Sequence, residues 1–209
     1  MKKIITMISA SFLLASSALA DGGMIGVKYG FGDLEATKNS YAAGGHTYAA
    51  QSASEDHEYG AIFAEINLPV DGLSAGIEVI PFTATLTVDG NSADSHLELS
   101  DYTTLYGLFS RDMGAGSAYI KGGYSFADIG NVRANYVTTT VNSHDTTLEG
   151  PMIGIGFQKE ISEITARLEA TYTEFDTVSV TTTSNASASA KKSADAELVT
   201  VSVSLAKSF

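Results

Sequence analysis

Through most of the chain, apolar residues occupy every second position. The last eleven residues, VTVSVSLAKSF, show it most plainly: Phe209, Leu205, Val203, Val201 and Val199 share one parity, and Ser208, Ala206, Ser204, Ser202 and Thr200 the other. A period of two marks a strand whose two faces see different surroundings. The same alternation recurs in segments 25–31, 62–68, 73–81, 102–108, 118–126, 151–157 and 164–172. In the fourth of these, Tyr102, Thr104, Tyr106 and Leu108 are read as the apolar face, opposite Asp101, Thr103, Gly107 and Arg111. Three of the breaks are short turns, PVDG, RDMGAGS and KEISE. The other four are long and polar, near 33–57, 82–98, 128–147 and 176–196. Long and short connections alternate, so antiparallel strands of roughly 9 to 13 residues, enough to cross a hydrocarbon layer at a tilt, have all their long loops at one end.

The second parity decides what kind of β-structure this is. In a soluble barrel or sandwich the face opposite the core meets water and is rich in Lys, Glu, Asp and Arg. Here it is mostly Gly, Ser and Thr, with a few charges of both signs near the strand middles. Small polar residues suit the crowded interior of a narrow closed barrel whose apolar parity faces lipid. The expected fold is all-β: one eight-stranded, antiparallel, up-and-down transmembrane barrel.

Composition adds the compartment and removes several chemistries. The chain has no cysteine, hence no disulfide framework, thiolate site or cysteine nucleophile. Its first residues, MKKIITMISASFLLASSALA, place Lys2 and Lys3 before an apolar run and end in the small-residue site Ala18-Leu19-Ala20. This pattern predicts a signal peptide over 1–20, cleaved between Ala20 and Asp21, and a single barrel domain over 21–209. Of 12 basic and 24 acidic side chains the leader holds only Lys2 and Lys3, so the mature chain carries 10 against 24, a formal charge of −14. Nucleic acid is therefore not an expected partner. No stretch after residue 20 is long and apolar enough for a spanning helix, so any passage through a membrane must be made by strands.

With this leader, this architecture and a final strand closing on Phe209, the chain resembles the small eight-stranded outer-membrane barrels of Gram-negative bacteria, of the OmpA and OmpX type. The resemblance implies residence in the outer membrane, contact with its lipid, and recognition of the strand ending in Phe209 by the barrel-assembly machinery. It also implies a monomer without cofactor or metal, and leaves the loop partner open. Lys207 departs from the pattern by standing on the outward parity; near the rim its ammonium can snorkel to the interface.

Aromatic residues are expected in two girdles, with Tyr29, Phe31, Tyr102, Tyr124, Phe126 and Tyr172 towards the long loops and Phe157 and Phe209 towards the short turns. On the inward parity Lys28, Lys121 and Arg167 stand against Glu65, Glu78 and Glu169 at similar heights. The six are read as a salt-bridged network filling the lumen, or, alternatively, as a charged gate for ions. The histidines, His46, His57, His96 and His144, fall in or beside the long breaks. Ser143-His144-Asp145 lacks the defined roles of a catalytic constellation. DGNSAD at 89–94 lacks the spacing of a calcium loop, and Asn185-Ala186-Ser187 is a glycosylation sequon only by letter. The Ala/Ser/Thr-rich tract 178–190 either prolongs two strands beyond the membrane or stays mobile. The functions expected, in order, are a structural or surface-interacting barrel, a narrow transport pore and a lipid-modifying enzyme.

Overall fold

The computed structural model describes residues 22–43, 46–81, 84–88, 95–134, 139–144, 146–184 and 189–209. These form twelve strand segments: β1 (Gly23–Lys38), β2 (Tyr41–Ala43), β3 (His46–Tyr48), β4 (Gln51–Asn67), β5 (Leu73–Ile80), β6 (Ala84–Val88), β7 (Ser95–Asp112), β8 (Ser117–Ala134), β9 (Thr139–His144), β10 (Thr147–Ile161), β11 (Ile164–Ser184) and β12 (Ser189–Ser208). Eight of them, β1, β4, β5, β7, β8, β10, β11 and β12, pair antiparallel with their sequence neighbours. The β1–β12 ladder, from Met24↔Ser208 to Lys38↔Ala194, closes the sheet into the eight-stranded barrel expected from the sequence. Gly23 and Phe209 exchange backbone hydrogen bonds of 3.3 and 3.1 Å, so the last residue is stitched to the start of β1.

The three short connections are tight. Leu73 N–H donates to the Val70 carbonyl at 3.0 Å, with Gly72 at φ +75°. Met113 N–H donates to the Gly116 carbonyl at 2.8 Å. The third is a two-residue turn between paired Ile161 and Ile164, and it holds Ser162 at φ 62°.

The outer face is continuously apolar. Val27, Ile120, Ile153, Ile155, Leu168, Val201, Val203 and Leu205 are each more than half exposed. Tyr29 packs edge-on against Phe31, their centroids 5.5 Å apart, and Tyr124 against Phe126 at 5.1 Å. A water-soluble protein does not expose a belt of this extent.

Three expectations need correction. Seven of the eight barrel strands are longer than 9 to 13 residues, from 15 in β10 to 21 in β11, while β5 has 8. Polar stretches read as breaks continue the ladders past the membrane, where water satisfies a polar strand face. Within tract 178–190, β11 reaches Ser184 and β12 starts at Ser189, which is the prolonged-strand alternative.

The fourth barrel strand, β7, has the opposite parity. Thr104, Tyr106 and Leu108 are buried inside, whereas Leu105 and Phe109 are about half exposed outside. Both parities of this strand carry large apolar groups, so hydrophobicity alone does not orient it. The Tyr106 hydroxyl does, by donating to buried Glu65. A register shift between Ser100 and Thr103, with Asp101 at φ 53°, resets the phase above.

Tyr102 consequently leaves the proposed girdle. It lies inside, edge-on to buried Phe175 at 6.3 Å.

Candidate functional site

The inward parity supplies the site. Lys28 on β1, Glu78 on β5, Lys121 on β8 and Glu169 on β11 form a closed ring of alternating charge. Lys28 Nζ lies 2.5 Å from both Glu78 Oε2 and Glu169 Oε1, and Lys121 Nζ lies 3.0 and 3.1 Å from the same two oxygens. The remaining two charges make a separate bidentate pair: Arg167 Nη1 donates to Glu65 Oε1 at 2.5 Å and Nη2 to Oε2 at 2.7 Å. All six side chains are buried. The six therefore divide into two neutral clusters, where the sequence suggested a single layer.

Two tyrosines join the clusters. Tyr106 donates to Glu65 Oε1 at 2.8 Å while Lys121 Nζ sits 3.9 Å from its ring centroid. Tyr119 donates to Glu169 Oε2 at 3.0 Å, and the Arg167 guanidinium lies 5.4 Å from its ring. Gln158 accepts from Arg167 Nε at 2.9 Å. Burying a charge is tolerable when its partners and remaining hydrogen bonds are all in place, and here each carboxylate has at least two donors.

Glycine makes the room for these rings. A Cβ built on Gly76 would stand 2.6 Å from Tyr106 Cζ, and one on Gly156 2.2 Å from Tyr119 Cζ. The rings lie against bare backbone on the neighbouring strand, a known way of covering glycine in a sheet.

Charges and small polar groups line the inside while Ile, Val and Leu line the outside, the inverse of a water-soluble barrel. The chain folds as a small barrel of the outer-membrane type.

No protein-family model and no curated protein matches its sequence. Solved structures similar to this outer-membrane-type barrel include three such proteins. The attachment invasion locus protein Ail of Yersinia pestis, solved with the heparin analogue sucrose octasulfate, shows 9% identity over 90% of this chain and 99% of that one, with TM-score 0.43. Neisserial surface protein A shows 12% identity over 87% and 97%, with TM-score 0.45. The outer membrane protease OmpT of Escherichia coli shows 9% over 90% and 97%, with TM-score 0.49.

Above the charges the interior of the barrel changes character. Thr104 and Ser125 share a hydroxyl hydrogen bond of 2.9 Å, and Thr171 and Thr200 one of 2.7 Å. Higher still, Leu34, Ala127, Ile129, Leu148, Phe175 and Leu198 form a buried apolar cluster, flanked by Leu99 and Tyr102. Sequence reasoning missed it because Leu34 and Ile129 lie in segments read as loops, and Leu148 falls just before the sixth strand segment as read. The signal was present: in Phe126-Ala127-Asp128-Ile129 the inward parity simply continues.

The other candidate residues are placed as follows. Phe209 stands on the outer face at the short-turn rim, half exposed. Lys207 pairs there with Glu163 at 3.2 Å, both side chains well exposed. His57 lies on β4 facing the upper interior, while His46, His96 and His144 fall on β3, β7 and β9. The leader with Ala20 and Asp21, the 89–94 turn, Asp145 and the sequon at 185–187 lie outside the described residues.

Proposed function

We propose that the protein is a surface scaffold of the outer membrane: a plugged barrel whose function lies in what its four long connections contact, without catalysis or steady transport. The observation that carries this reading is the mutual neutralisation of Lys28, Glu65, Glu78, Lys121, Arg167 and Glu169 across the lumen. Eight strands enclose a space just wide enough for side chains, and Phe63, Leu108, Tyr119 and Met152 fill the same level. With their donors and acceptors engaged with one another, the six charges serve packing rather than acid–base chemistry.

On this reading residues 1–20 are removed at Ala20, the mature chain starts at Asp21, and Phe209 completes the strand that the assembly machinery engages. The strand extensions beyond the girdles lift the connections clear of the headgroups, as expected for a monomer presenting loops on a rigid frame.

The absence of cysteine supplies a clean test. Ser187→Cys, between β11 and β12 in the sequence, is expected to react with a membrane-impermeant maleimide on intact cells, whereas Asp71→Cys in a short turn reacts only after lysis. The intact mass of the recovered protein should correspond to 21–209. Labelling of Asp71→Cys on intact cells would overturn the orientation, and a mass retaining the leader would overturn secretion by this route.

A further inference from the structure

The lipid-facing wall carries cations at its short-turn rim. Arg111 on β7, Lys159 on β10 and Lys207 on β12 stand there on the outward parity, all exposed. Among the described residues Lys207 pairs with Glu163 at 3.2 Å, whereas Arg111 and Lys159 make no ion pair. The acids next to them in sequence do not supply one. Asp112 Oδ1 accepts from the Gly114 N–H at 2.7 Å, and Glu160 stands on the opposite parity. Arg111 is the last outward residue of β7 before its turn, so its guanidinium lies where the apolar belt gives way to headgroups.

A hollow opens beside it. Register sets Arg111, Ala118, Phe157 and Leu168 in one outward row across β7, β8, β10 and β11, and the next row into the membrane includes Phe109 and Ala170. The short side chains of Ala118 and Ala170 interrupt larger apolar groups, and about 770 Å3 of open space lies among them. That volume suits a small ligand. Its surface is almost wholly apolar; of the charged residues around it, Glu169 is turned into the lumen and Arg111 faces outward. The opposite rim has the opposite sign, since Asp33, Glu58, Glu174 and Glu197 are exposed on the outward parity beyond its aromatic girdle.

We propose that the hollow is a binding site for one anionic phospholipid of the leaflet at the short-turn end. An acyl chain lies along Ala118 and Ala170, and the phosphate meets the Arg111 guanidinium, whose planar fork matches two of its oxygens. Lys159, beyond Phe157 on the far bank, adds positive potential and favours a head with no cation of its own. At the loop-side rim the same head would face carboxylates. The inference rests on the membrane-spanning reading, and not on which end of the barrel faces the cell exterior.

The chain contains no tryptophan, so Phe109→Trp places a sole reporter beside the hollow, and Phe31→Trp in a second variant reports from the other rim. Both are placed in phosphatidylcholine nanodiscs after heat-dependent gel migration has verified folding. A minor fraction of the lipid is chain-dibrominated phosphatidylglycerol or, in parallel, chain-dibrominated phosphatidylcholine. Phe109→Trp should be quenched with about fivefold preference for the phosphatidylglycerol, the effect expected of one cation beside an anionic head. Phe31→Trp should show no such preference. Adding Arg111→Gln and Lys159→Gln to the Phe109→Trp chain should abolish the preference and leave quenching by the phosphatidylcholine unchanged. If Phe109→Trp does not fold, Phe157→Trp reports from the other bank. Equal quenching by the two lipids at the hollow, the same preference at both rims, or a preference that survives loss of the two cations would overturn the proposal while leaving the plugged scaffold intact. If neither lipid quenches either reporter, the lipid-facing wall itself fails, and the proposal with it.

Discussion

The two halves of the barrel interior solve the problem of a narrow lumen in opposite ways. Near the short turns it is filled by charge: six ionised groups, two tyrosines and a glutamine in which every carboxylate has several donors. Towards the loops it is lined by Leu34, Ile129, Leu148, Phe175 and Leu198, and it leaves a cavity. In the lower half directional bonds specify each side chain's position, and losing one partner strands another in low dielectric. In the upper half contacts are non-directional, and open space remains between the side chains. Directional polar bonding belongs to the first; apolar contact belongs to the second.

The sharpest way to break this contrast is to remove one charge. Arg167→Met leaves Glu65 buried with only the Tyr106 hydroxyl, and should destabilise the barrel by ~3–5 kcal/mol. Urea titration read by heat-dependent gel migration measures it. Adding Glu65→Gln should recover much of the loss, because the stranded charge is gone. A comparable truncation above, Leu148→Ala beside an existing cavity, should cost less, about 2 kcal/mol.

Next in size is the fit of ring against backbone. Gly156→Val drives a side chain into Tyr119 and should cost ~1–3 kcal/mol. Tyr119→Phe keeps the ring but removes its bond to Glu169, at about 1.5–3 kcal/mol for a hydrogen bond to a charge. The same unfolding assay ranks them.

Exposed pairs at the two ends should matter least. Lys207→Ala, which removes the rim contact with Glu163, should change stability by less than about 1 kcal/mol. Asp195, on the β12 extension beyond the membrane, accepts from Thr177 Oγ1 at 2.5 Å and from Asn39 Nδ2 at 3.1 Å. These bonds, Thr177 first, hold its carboxyl below the usual carboxylate range. A folded-state value below the unfolded one gives support that is complete at neutral pH and is lost as pH falls through the folded value. Protection factors of the amides near Thr177 and Asp195, taken against the intrinsic rate at each pH, should fall only in strongly acidic buffer, and in Asp195→Asn should already be low at neutral pH.

This asymmetry also explains what the sequence disclosed. Isolated Lys, Arg and Glu on an otherwise small-residue parity are conspicuous, so all six lumen charges could be named from pattern alone. Their partners could not. Tyr106 went unrecognised because β7 carries Leu105 and Phe109 on one parity and Tyr106 and Leu108 on the other, and only the buried carboxylate of Glu65 breaks the tie. The division into two clusters follows from strand tilt and register, which alternation does not encode. The upper apolar group was hidden for a different reason: beyond the girdles the outward face is polar, as Asp33, Glu35 and Asp128 show, so the contrast that marks a membrane strand disappears and the ladder reads as loop.

The central claim is that the lower half closes the lumen, and conductance across a planar bilayer tests it most directly. The unmodified protein should insert without a stable, large, continuously open current. Glu169→Gln should remain closed as well, because Phe63, Tyr106, Tyr119 and Met152 still occupy that level. Steady porin-sized steps from the unmodified protein would contradict the plug and move ion or solute passage to first place.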